Sequence, residues 1–327
     1  MRTIDVHAHL TPRALLRAKA EGRDLHGIDP EAIARGQLLD ISPDRRLADM
    51  DRLGIDVQVV SAEPQVYCYQ YPAAQALAVH REANDEVHEL RVGAPNRFEG
   101  LAVVPLQDIG LAIGEMERTV GGLGLRGVMI GDHVNGRMYD EPGFEDFWTA
   151  AERLGALVFL HQASPTLVST RITRYHLTNT VGNAVERTLS FAALVFGGVL
   201  DRHPDLRIVL GHGGGYAVMA AGRMDWGWQW RAEAREHLGV PPTSFLSRFY
   251  YDCITHSEAV LRFVVDSVGI DRVVFGTDYP GFAAGAAGAG YEPRAWLEGL
   301  TSLTRAEKDA ILGGNLATLL GLASAAA

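Results

Sequence analysis

The sequence predicts an α/β protein: a (β/α)8 barrel of the TIM type with a small insertion after its first strand. Short apolar runs rich in β-branched residues recur eight times along the 327 residues, and segments with the apolar spacing of amphipathic helices lie between them. Several of these runs are apolar at every position, which is typical of parallel strands that are buried on both faces. Eight strands that alternate with helices favour a closed barrel, and a doubly wound open sheet is the alternative.

The predicted strands are short and each is followed by a longer segment. In chain order they are Thr3–Val6, Asp56–Ser61, Phe98–Val103, Gly127–Ile130, Leu157–Leu160, Arg207–Leu210, Phe249–Asp252 and Arg272–Phe275. Helices are predicted between them at 43–53, 72–90, 144–154, 185–201 and 257–268. Residues from about 11 to 40 interrupt the alternation, and we interpret them as an insertion placed to cap the barrel mouth. We expect residues 1–327 to form a single domain of this kind.

Charge and cysteine content restrict the partners and the compartment. The formal net charge of -10 argues against binding to nucleic acids or anionic membranes. No apolar run reaches the roughly 18 residues of a membrane span. Cys68 and Cys253 lie far apart and form no C-x-x-C motif, which favours a reducing cytoplasm. The first predicted strand begins at Thr3, so we expect no signal peptide.

Four histidines and one aspartate lie at the carboxyl ends of predicted strands. They are His7 and His9 at the first strand, His161 at the fifth, His212 at the sixth and Asp278 at the eighth. In a (β/α)8 barrel these strand ends form one rim, and catalytic residues lie on it. Scattered surface or capping histidines are the alternative interpretation, but it leaves the shared rim unexplained.

His7, His9, His161 and Asp278 are the predicted metal ligands. His7 and His9 are two residues apart, so on a strand they share one face. Three imidazoles and one carboxylate, with water completing the shell, suit Zn2+ best, and Mn2+, Fe2+ or Co2+ are alternatives. We therefore predict a divalent metal ion at the mouth of the barrel.

His212 lies in a glycine-rich turn at 211–215, where the missing side chains let the backbone pass close to a ligand. It could be a further metal ligand or a general base. Because four other ligands are available, we predict that His212 is the catalytic acid/base. A histidine that is merely hydrogen-bonded at a strand end is the structural alternative.

Several motifs resemble the amidohydrolase-2 family of the amidohydrolase superfamily. They are 5–12 (Asp-Val-His-Ala-His-Leu-Thr-Pro), His161, the turn at 211–215 and 276–280 (Gly-Thr-Asp-Tyr-Pro). Within the family the likeness is to the aminocarboxymuconate-semialdehyde decarboxylases. It extends over nearly the whole chain, through 46–51, 127–135 and 314–315. The motifs are specific to the superfamily and much less specific to one substrate.

The resemblance implies that the same four ligands bind zinc and that His212 is the acid/base, and it adds two arginines. Arg46 would bind the substrate. Arg223, eleven residues after His212, would reach across the interface of a homodimer. Arginine binds carboxylates with two hydrogen bonds, and the substrate of a decarboxylase is usually anionic. A surface ion pair is the alternative interpretation for each arginine.

The resemblance also implies one metal ion per site. Two-metal sites of the superfamily are typically bridged by a carboxylated lysine after the fourth strand. Here the fourth strand runs into Gly131, Asp132 and His133, without a lysine. The two lysines of the chain, Lys19 and Lys308, lie away from this rim position in the predicted arrangement.

Residues around the predicted site depart from the family pattern. Gln162 stands where the decarboxylases have proline, and polar residues at 175–182 replace a segment that carries tryptophan. Tyr67 follows the second strand, and His176 lies in the loop after the fifth. We predict that Tyr67 and His176 contact a substrate different from that of the muconate-semialdehyde enzymes.

The sequence therefore predicts a metal-dependent, non-oxidative decarboxylase of an unsaturated or aromatic carboxylate. A hydrolase or hydratase that acts on a lactone, amide, C–C bond or enol acid is the alternative, because a fold does not fix a reaction. A non-catalytic metal- or ligand-binding barrel is disfavoured, since both His212 and Asp278 are present. The expected partners are a small anionic substrate and a second copy of the chain.

Overall fold

Eight parallel strands form one sheet in chain order in the computed structural model of the chain. The structure describes residues 2–34, 38–162, 166–281 and 292–322. The strands are β1 Ile4–Leu10, β2 Val57–Ala62, β3 Phe98–Ala102, β4 Gly127–Ile130, β5 Leu157–Leu160, β6 Arg207–Leu210, β7 Tyr250–Asp252 and β8 Val273–Val274. The predicted fold class is confirmed, and β4, β5 and β6 match their predicted bounds residue for residue.

The sheet closes through backbone hydrogen bonds between β1 and the chain that follows β8. The Val6 amide donates to the Phe275 carbonyl at 2.9 Å, and the Asp278 amide donates to the His7 carbonyl at 2.8 Å. Closure of this kind removes the two free edges of the sheet. It also places the ends of the first and last strands side by side, with His7 and Asp278 next to each other.

Burial explains why these segments form strands. Every residue of β1 to β5 is buried, as expected of parallel strands covered by side chains inside the barrel and by helices outside it. The helices of the described residues are α1 Arg13–Glu21, α2 Pro30–Ile33, α3 Pro43–Leu53, α4 Ala73–Gly93, α5 Ile109–Met116, α6 Glu145–Arg153, α7 Asn183–Phe196, α8 Val199–Arg202, α9 Ala217–Trp230, α10 Glu258–Val268, α11 Pro293–Gly299, α12 Arg305–Asp309 and α13 Asn315–Leu320.

Helix α3 shows how local sequence sets the element bounds. The Ser42 hydroxyl accepts a hydrogen bond from the Arg45 amide, and Pro43 occupies the first helical position. Gly54 ends the helix in the left-handed conformation with φ 68°. The observed helix therefore has the predicted bounds, 43–53.

The predicted helix at 185–201 is wrong as one element. The chain forms α7 and α8 instead, separated by Gly197 and Gly198. Gly198 has φ 67°, a conformation that costs glycine little and interrupts a right-handed helix. The apolar residues continue across the break, so periodicity alone could not reveal it.

The predicted insertion at 11–40 contains α1 and α2, and residues 35–37 lie outside the described part of the chain. Helix α1 contacts α2 and α4. Arg13 at its start forms ion pairs with Glu86 and Glu89 on α4. The position of the insertion over the barrel mouth stays a prediction. Within the described residues, no helix has both the length and the apolar character needed to cross a bilayer.

Gly127 in β4 should tolerate no side chain. A Cβ atom there would lie 1.9 Å from the Leu157 carbonyl oxygen of β5, and backbone atoms cannot move aside without breaking the strand pairing. We expect Gly127→Ala to lower the free energy of unfolding by about 1–3 kcal/mol or more, measured by denaturant unfolding. Gly114→Ala is the control, because a Cβ on this glycine of α5 meets nothing within 4 Å. Equal stability of the two variants would contradict the register of β4 against β5.

Candidate metal centre

The four predicted ligands converge at the carboxyl ends of β1, β5 and β8. His7, His9, His161 and Asp278 each offer one ligand atom, and these atoms all lie within 4.8 Å of one another. The Asp278 Oδ1 atom lies 3.2 Å from His7 Nε2 and 3.4 Å from His9 Nε2. The three imidazoles are buried, so the strand ends present a compact group of three nitrogens and one oxygen.

The backbone of β1 positions its two histidines. The pairing of β1 with β2 shifts register between Asp5 and Ala8, so His7 lies in an irregular stretch of the ladder. The Asp5 carboxylate accepts the His7 amide at 3.0 Å. Asp5 also accepts the amide and the hydroxyl of Thr277, just before Asp278. One buried carboxylate therefore fixes two of the three backbone segments that carry predicted ligands, β1 and the residues after β8, and burial raises its pKa to about 6.

Each imidazole is held by a contact at Nδ1, which leaves Nε2 facing the centre of the group. The contacts are His7 Nδ1 with Asp252 Oδ2 at 2.7 Å, His9 Nδ1 with Ser61 Oγ at 3.1 Å, and His161 Nδ1 with the Gln162 carbonyl at 3.2 Å. Metal-binding histidines typically use the second ring nitrogen in this way, since the outer partner fixes the tautomer and the ring orientation.

The residues present fit a divalent cation. The Nε2 atoms of His7, His9 and His161 are buried and have no hydrogen-bond partner among the described residues. Such buried polar atoms cost about 1–3 kcal/mol each when they stay unsatisfied. Three imidazole nitrogens and a carboxylate oxygen are also a donor set that Zn2+ and related ions prefer. One cation between them would satisfy all three nitrogens.

Electrostatics at the group also favour a cation. Burial opposes an imidazolium at His7, but Asp278 and Asp252 outweigh it and raise the pKa of His7 to about 10. Burial and the positive charge of His7 and His9 hold the pKa of His161 well below its ordinary value. Burial opposes the carboxylate of Asp278, yet His7 and its neighbours keep that pKa low. The two aspartates therefore attract positive charge to this point.

His212 faces the same group from its more accessible side. Its Nε2 lies 3.7 Å from Asp278 Oδ2, and a quarter (25%) of its side chain is exposed. The backbone at His212 has φ 54°, an unfavourable conformation that tends to occur at functional sites. The Asp252 carboxylate stabilises this turn, because it accepts the amides of His212 and Gly213 at 2.9 and 2.8 Å.

The predicted substrate ligands fall into two sets. Arg46 is 2% exposed and donates to the His9 carbonyl at 2.6 Å and to Gln58 at 3.1 Å. Its guanidinium also stacks on the Tyr279 ring. Tyr67 is buried, and its hydroxyl donates to the His161 carbonyl at 3.0 Å. Both side chains therefore support the backbone of a predicted metal ligand.

Arg223 and His176 lie elsewhere. Arg223 is exposed on α9, and His176 is exposed in the segment between β5 and α7. Neither has a described contact with the ligand group, so their roles as substrate ligands stay predictions. His212, Tyr67 and Arg46 contact the group of predicted ligands or their backbone. Arg223 and His176 have no described contact with that group.

The lysine positions agree with the prediction of a single metal ion. The Lys19 ammonium donates to the Ala34 carbonyl, and the Lys308 ammonium donates to the Glu298 carbonyl on α11. Both lysines lie on helices, away from the end of β4. Neither is placed to bridge two ions at the rim.

Sequence reasoning missed Asp252, Asp5 and Ser61. Asp252 ends the buried strand β7, so the rule that identified the ligands at other strand ends would also have selected it. Asp5 lies two residues before His7 on the same buried strand, a signal that charge is needed there. Ser61 gave no comparable signal, because its contact with His9 depends on the register of β1 against β2.

Comparisons with known proteins find relatives over most of the chain. A family model described as Amidohydrolase matches residues 4–322. The chain is 32% identical over 281 residues to the 2-amino-3-carboxymuconate-6-semialdehyde decarboxylase of Dictyostelium discoideum, covering 86% of this chain and 77% of that protein. It is 30% identical over 265 residues to a gamma-resorcylate decarboxylase of a Rhizobium species, covering 75% and 78% of the two chains.

The fold match includes a metal-containing structure. The crystal structure of a dihydroxybenzoic acid decarboxylase from Polaromonas sp. JS666, with bound manganese and the inhibitor 2-nitroresorcinol, superposes with a TM-score of 0.81 at 26% identity. The superposition covers 99% of this chain and 98% of that one. The resemblance inferred from the sequence motifs is therefore confirmed.

Asp252 should control metal affinity although it is not among the converging ligands. Asp252→Asn keeps the shape but removes the charge that orients His7, so we expect the dissociation constant for Zn2+ to rise about 10- to 100-fold. Competition with a chromophoric chelator measures it. Asp201→Asn, an exposed aspartate on α8, is the control and should bind Zn2+ like the wild type. Unchanged affinity in Asp252→Asn would contradict the assigned role of the His7–Asp252 contact.

Proposed function

The chain belongs to the amidohydrolase family, and from this premise we propose that it is a metal-dependent, non-oxidative decarboxylase of a small aromatic or unsaturated carboxylate. The observation that carries the proposal is the convergence of three buried, unpartnered Nε2 atoms and the Asp278 carboxylate, with His212 beside them. The curated relatives described above, which it matches over three quarters or more of its length, are decarboxylases. The enzyme is accordingly a carboxy-lyase.

We assign the metal to His7, His9, His161 and Asp278, with one ion per chain. Zn2+ suits the three imidazoles and one carboxylate, and Mn2+ is the second candidate because the Polaromonas relative contains manganese. When bound, a divalent ion supplies a Lewis acid that polarises an oxygen of the substrate. The remaining steps belong to side chains of the protein.

His212 is the group that moves the proton. In the reaction the carboxylate leaves as CO2, the electron pair of the broken C–C bond stays on the substrate carbon, and that carbon takes up one proton. The His212 imidazole lies beside Asp278 and is partly exposed, so it can take a proton from solvent and donate it at the substrate carbon. Asp252 holds the His212 backbone in place for this transfer.

Substrate binding is assigned to Tyr67, Arg46, His176 and Arg223. Tyr67 and Arg46 each donate to the backbone carbonyl of an assigned metal ligand, which supports placing both beside the metal position. His176 would have to reach the substrate from the exposed segment after β5. Arg223 would act in the site of a second copy of the chain.

An exposed apolar stripe on α9 supports a homodimer. Tyr216, Met219, Trp226 and Trp230 are spaced three, four or seven residues apart, so they share one helix face with Arg223. Met219, Trp226 and Trp230 are 78%, 55% and 63% exposed. Contiguous exposed aromatic and methionine side chains around an arginine are typical of protein interfaces. We propose that a second copy covers this stripe.

A reducing cytoplasm is the proposed compartment. Cys68 and Cys253 are buried and free, and burial raises the pKa of each thiol to about 12. Neither thiol is then readily ionised, and neither is paired in the structure. Two buried, unpaired thiols support this proposal.

Release of CO2 tests the proposed function. The metal-loaded enzyme should release CO2 from at least one member of a panel of dihydroxybenzoates, carboxyvanillate and muconate-type acids. In the same assay His212→Asn, which tolerates the left-handed backbone, should lower kcat about 10²- to 10⁴-fold while metal content stays unchanged. His256→Asn is the matched control, because His256 follows β7 with φ 52° but is exposed.

Three results would contradict these assignments. Cleavage of a lactone or amide panel without CO2 release from any acid would favour a hydrolase. Full activity in His212→Asn would remove His212 from the proton transfer. Loss of metal from that variant would instead make His212 a ligand.

The stripe on α9 predicts the oligomeric state. Size-exclusion chromatography with multi-angle light scattering should give the wild-type protein a mass of twice the chain mass of 35.5 kDa. Met219→Glu with Trp226→Glu should give monomers, because two buried charges would have to be desolvated in the interface. Val92→Glu, at a valine that is 59% exposed on α4, is the control and should stay dimeric. A monomeric wild type would contradict the dimer.

A further inference from the structure

Arg187 on α7 is a buried cation with hydrogen-bond donors to spare. It is 1% exposed, and its Nη1 lies 2.7 Å from the Oδ1 atom of Asp132, which is equally buried. The Nε, Nη1 and Nη2 atoms have no hydrogen bond of normal geometry among the described residues, and neither has Asp132 Oδ2. A guanidinium carries five N–H donors, so the ion pair leaves most of its hydrogen-bonding capacity unused.

Asp132 fixes where the guanidinium lies. It follows β4 at the rim of the barrel, two residues after Ile130. Ser190, one turn along α7 from Arg187, donates to the Asp132 backbone carbonyl at 2.8 Å and lies 3.1 Å from Asp132 Oδ1. This contact ties α7 to the end of β4. The guanidinium is therefore held at the same rim as the metal ligands and cannot swing out to solvent.

Tyr67 connects Arg187 with the metal centre. Its hydroxyl donates to the carbonyl of His161, and its ring stacks on Tyr69 at 5.3 Å. The Tyr69 hydroxyl in turn accepts the amide of Gly131, the residue before Asp132. Asp132 carries the ion pair with Arg187, so this series of contacts links the guanidinium to the carbonyl of His161.

The three arginines considered for substrate binding differ in how many of their N–H donors bind other groups of the protein. Arg46 donates to the His9 carbonyl and to Gln58 and stacks on Tyr279, so its guanidinium is occupied within the fold. Arg223 is exposed on α9. Arg187 combines burial with N–H donors that have no hydrogen-bond partner in the described part of the chain, and a guanidinium of this kind can bind a carboxylate with two hydrogen bonds.

We propose that Arg187 binds the substrate's carboxylate and thereby makes this site selective for acids. The inference rests on the proposed decarboxylase function, since it names the group that this same site would recognise. Asp132 positions the planar guanidinium through its Oδ1 atom, an acceptor that asparagine also offers, while its negative charge competes with an incoming anion. Because the product has lost the carboxylate, Arg187 would hold the substrate and release the product.

The test compares an acid with its neutral counterpart. The probes are 2,6-dihydroxybenzoate and resorcinol, titrated calorimetrically into metal-loaded full-length protein that carries His212→Asn to slow turnover. Arg187→Met should weaken the binding of the acid roughly 10- to 100-fold and the binding of resorcinol less than about threefold. In the otherwise wild-type enzyme, Arg187→Met should raise KM more than it lowers kcat, because the contact is made in the ground state.

Asp132→Asn and Arg187→Lys separate recognition from a merely structural ion pair. If Arg187 binds the acid, Asp132→Asn should keep or raise acid affinity, and Arg187→Lys should lose affinity several-fold because it lacks the planar fork. If Arg187→Met does not fold, Arg187→Lys and Asp132→Asn still test the proposal. Arg248→Met is the control, since Arg248 donates to Pro204 and Leu200 carbonyls before β6.

Three outcomes would overturn the assignment of Arg187. They are equal weakening of acid and resorcinol, parallel losses in Asp132→Asn and Arg187→Met, and no acid binding by the parent protein. Acid binding that depends on Arg187 without CO2 release from the wild type would overturn the proposed decarboxylase instead. The two proposals therefore fail by different observations.

Discussion

The Asp252 carboxylate at the end of β7 holds three parts of the site together. One oxygen contacts His7 Nδ1 at 2.7 Å and accepts the His212 amide, and the other accepts the amides of Gly213 and Ile254. Both Asp252 and His7 are fully buried, so the contact is not weakened by water. It sets which nitrogen of His7 faces the metal position and holds His212 in a left-handed backbone conformation. Closure of the barrel between β1 and β8 then brings Asp278 to the same point.

Much of this arrangement could be predicted because buried parallel strands appear in the sequence as short apolar runs. Strands β4 and β5 are buried at every position and β6 at every position except Arg207, and their bounds were predicted from these short apolar runs. The ligands followed from the rule that the carboxyl ends of barrel strands form one rim. The sequence did not predict the extension of β1 to Leu10 or its register shift, because both depend on the pairing of β1 with β2. The break at Gly197 and Gly198 was hidden by apolar residues on both sides.

The proposed substrate contacts were harder to select from the sequence than the proposed metal ligands. A metal ligand is identified by residue type and strand position, whereas a substrate ligand depends on which donors the fold leaves unused. Arg46 was selected by resemblance, yet much of its guanidinium is committed to the His9 carbonyl and Gln58. Arg187 gave no signal in the sequence, since its burial and its unused donors arise from the packing of α7 against the end of β4.

The central claim is that His7, His9, His161 and Asp278 hold one divalent metal ion. Elemental analysis by inductively coupled plasma mass spectrometry of protein saturated with Zn2+ or Mn2+ and then desalted tests it most directly. The account predicts one ion per chain in the wild type and almost none when His7 and His161 are both replaced by alanine. Two ions per chain, or an unchanged content in the double variant, would contradict it.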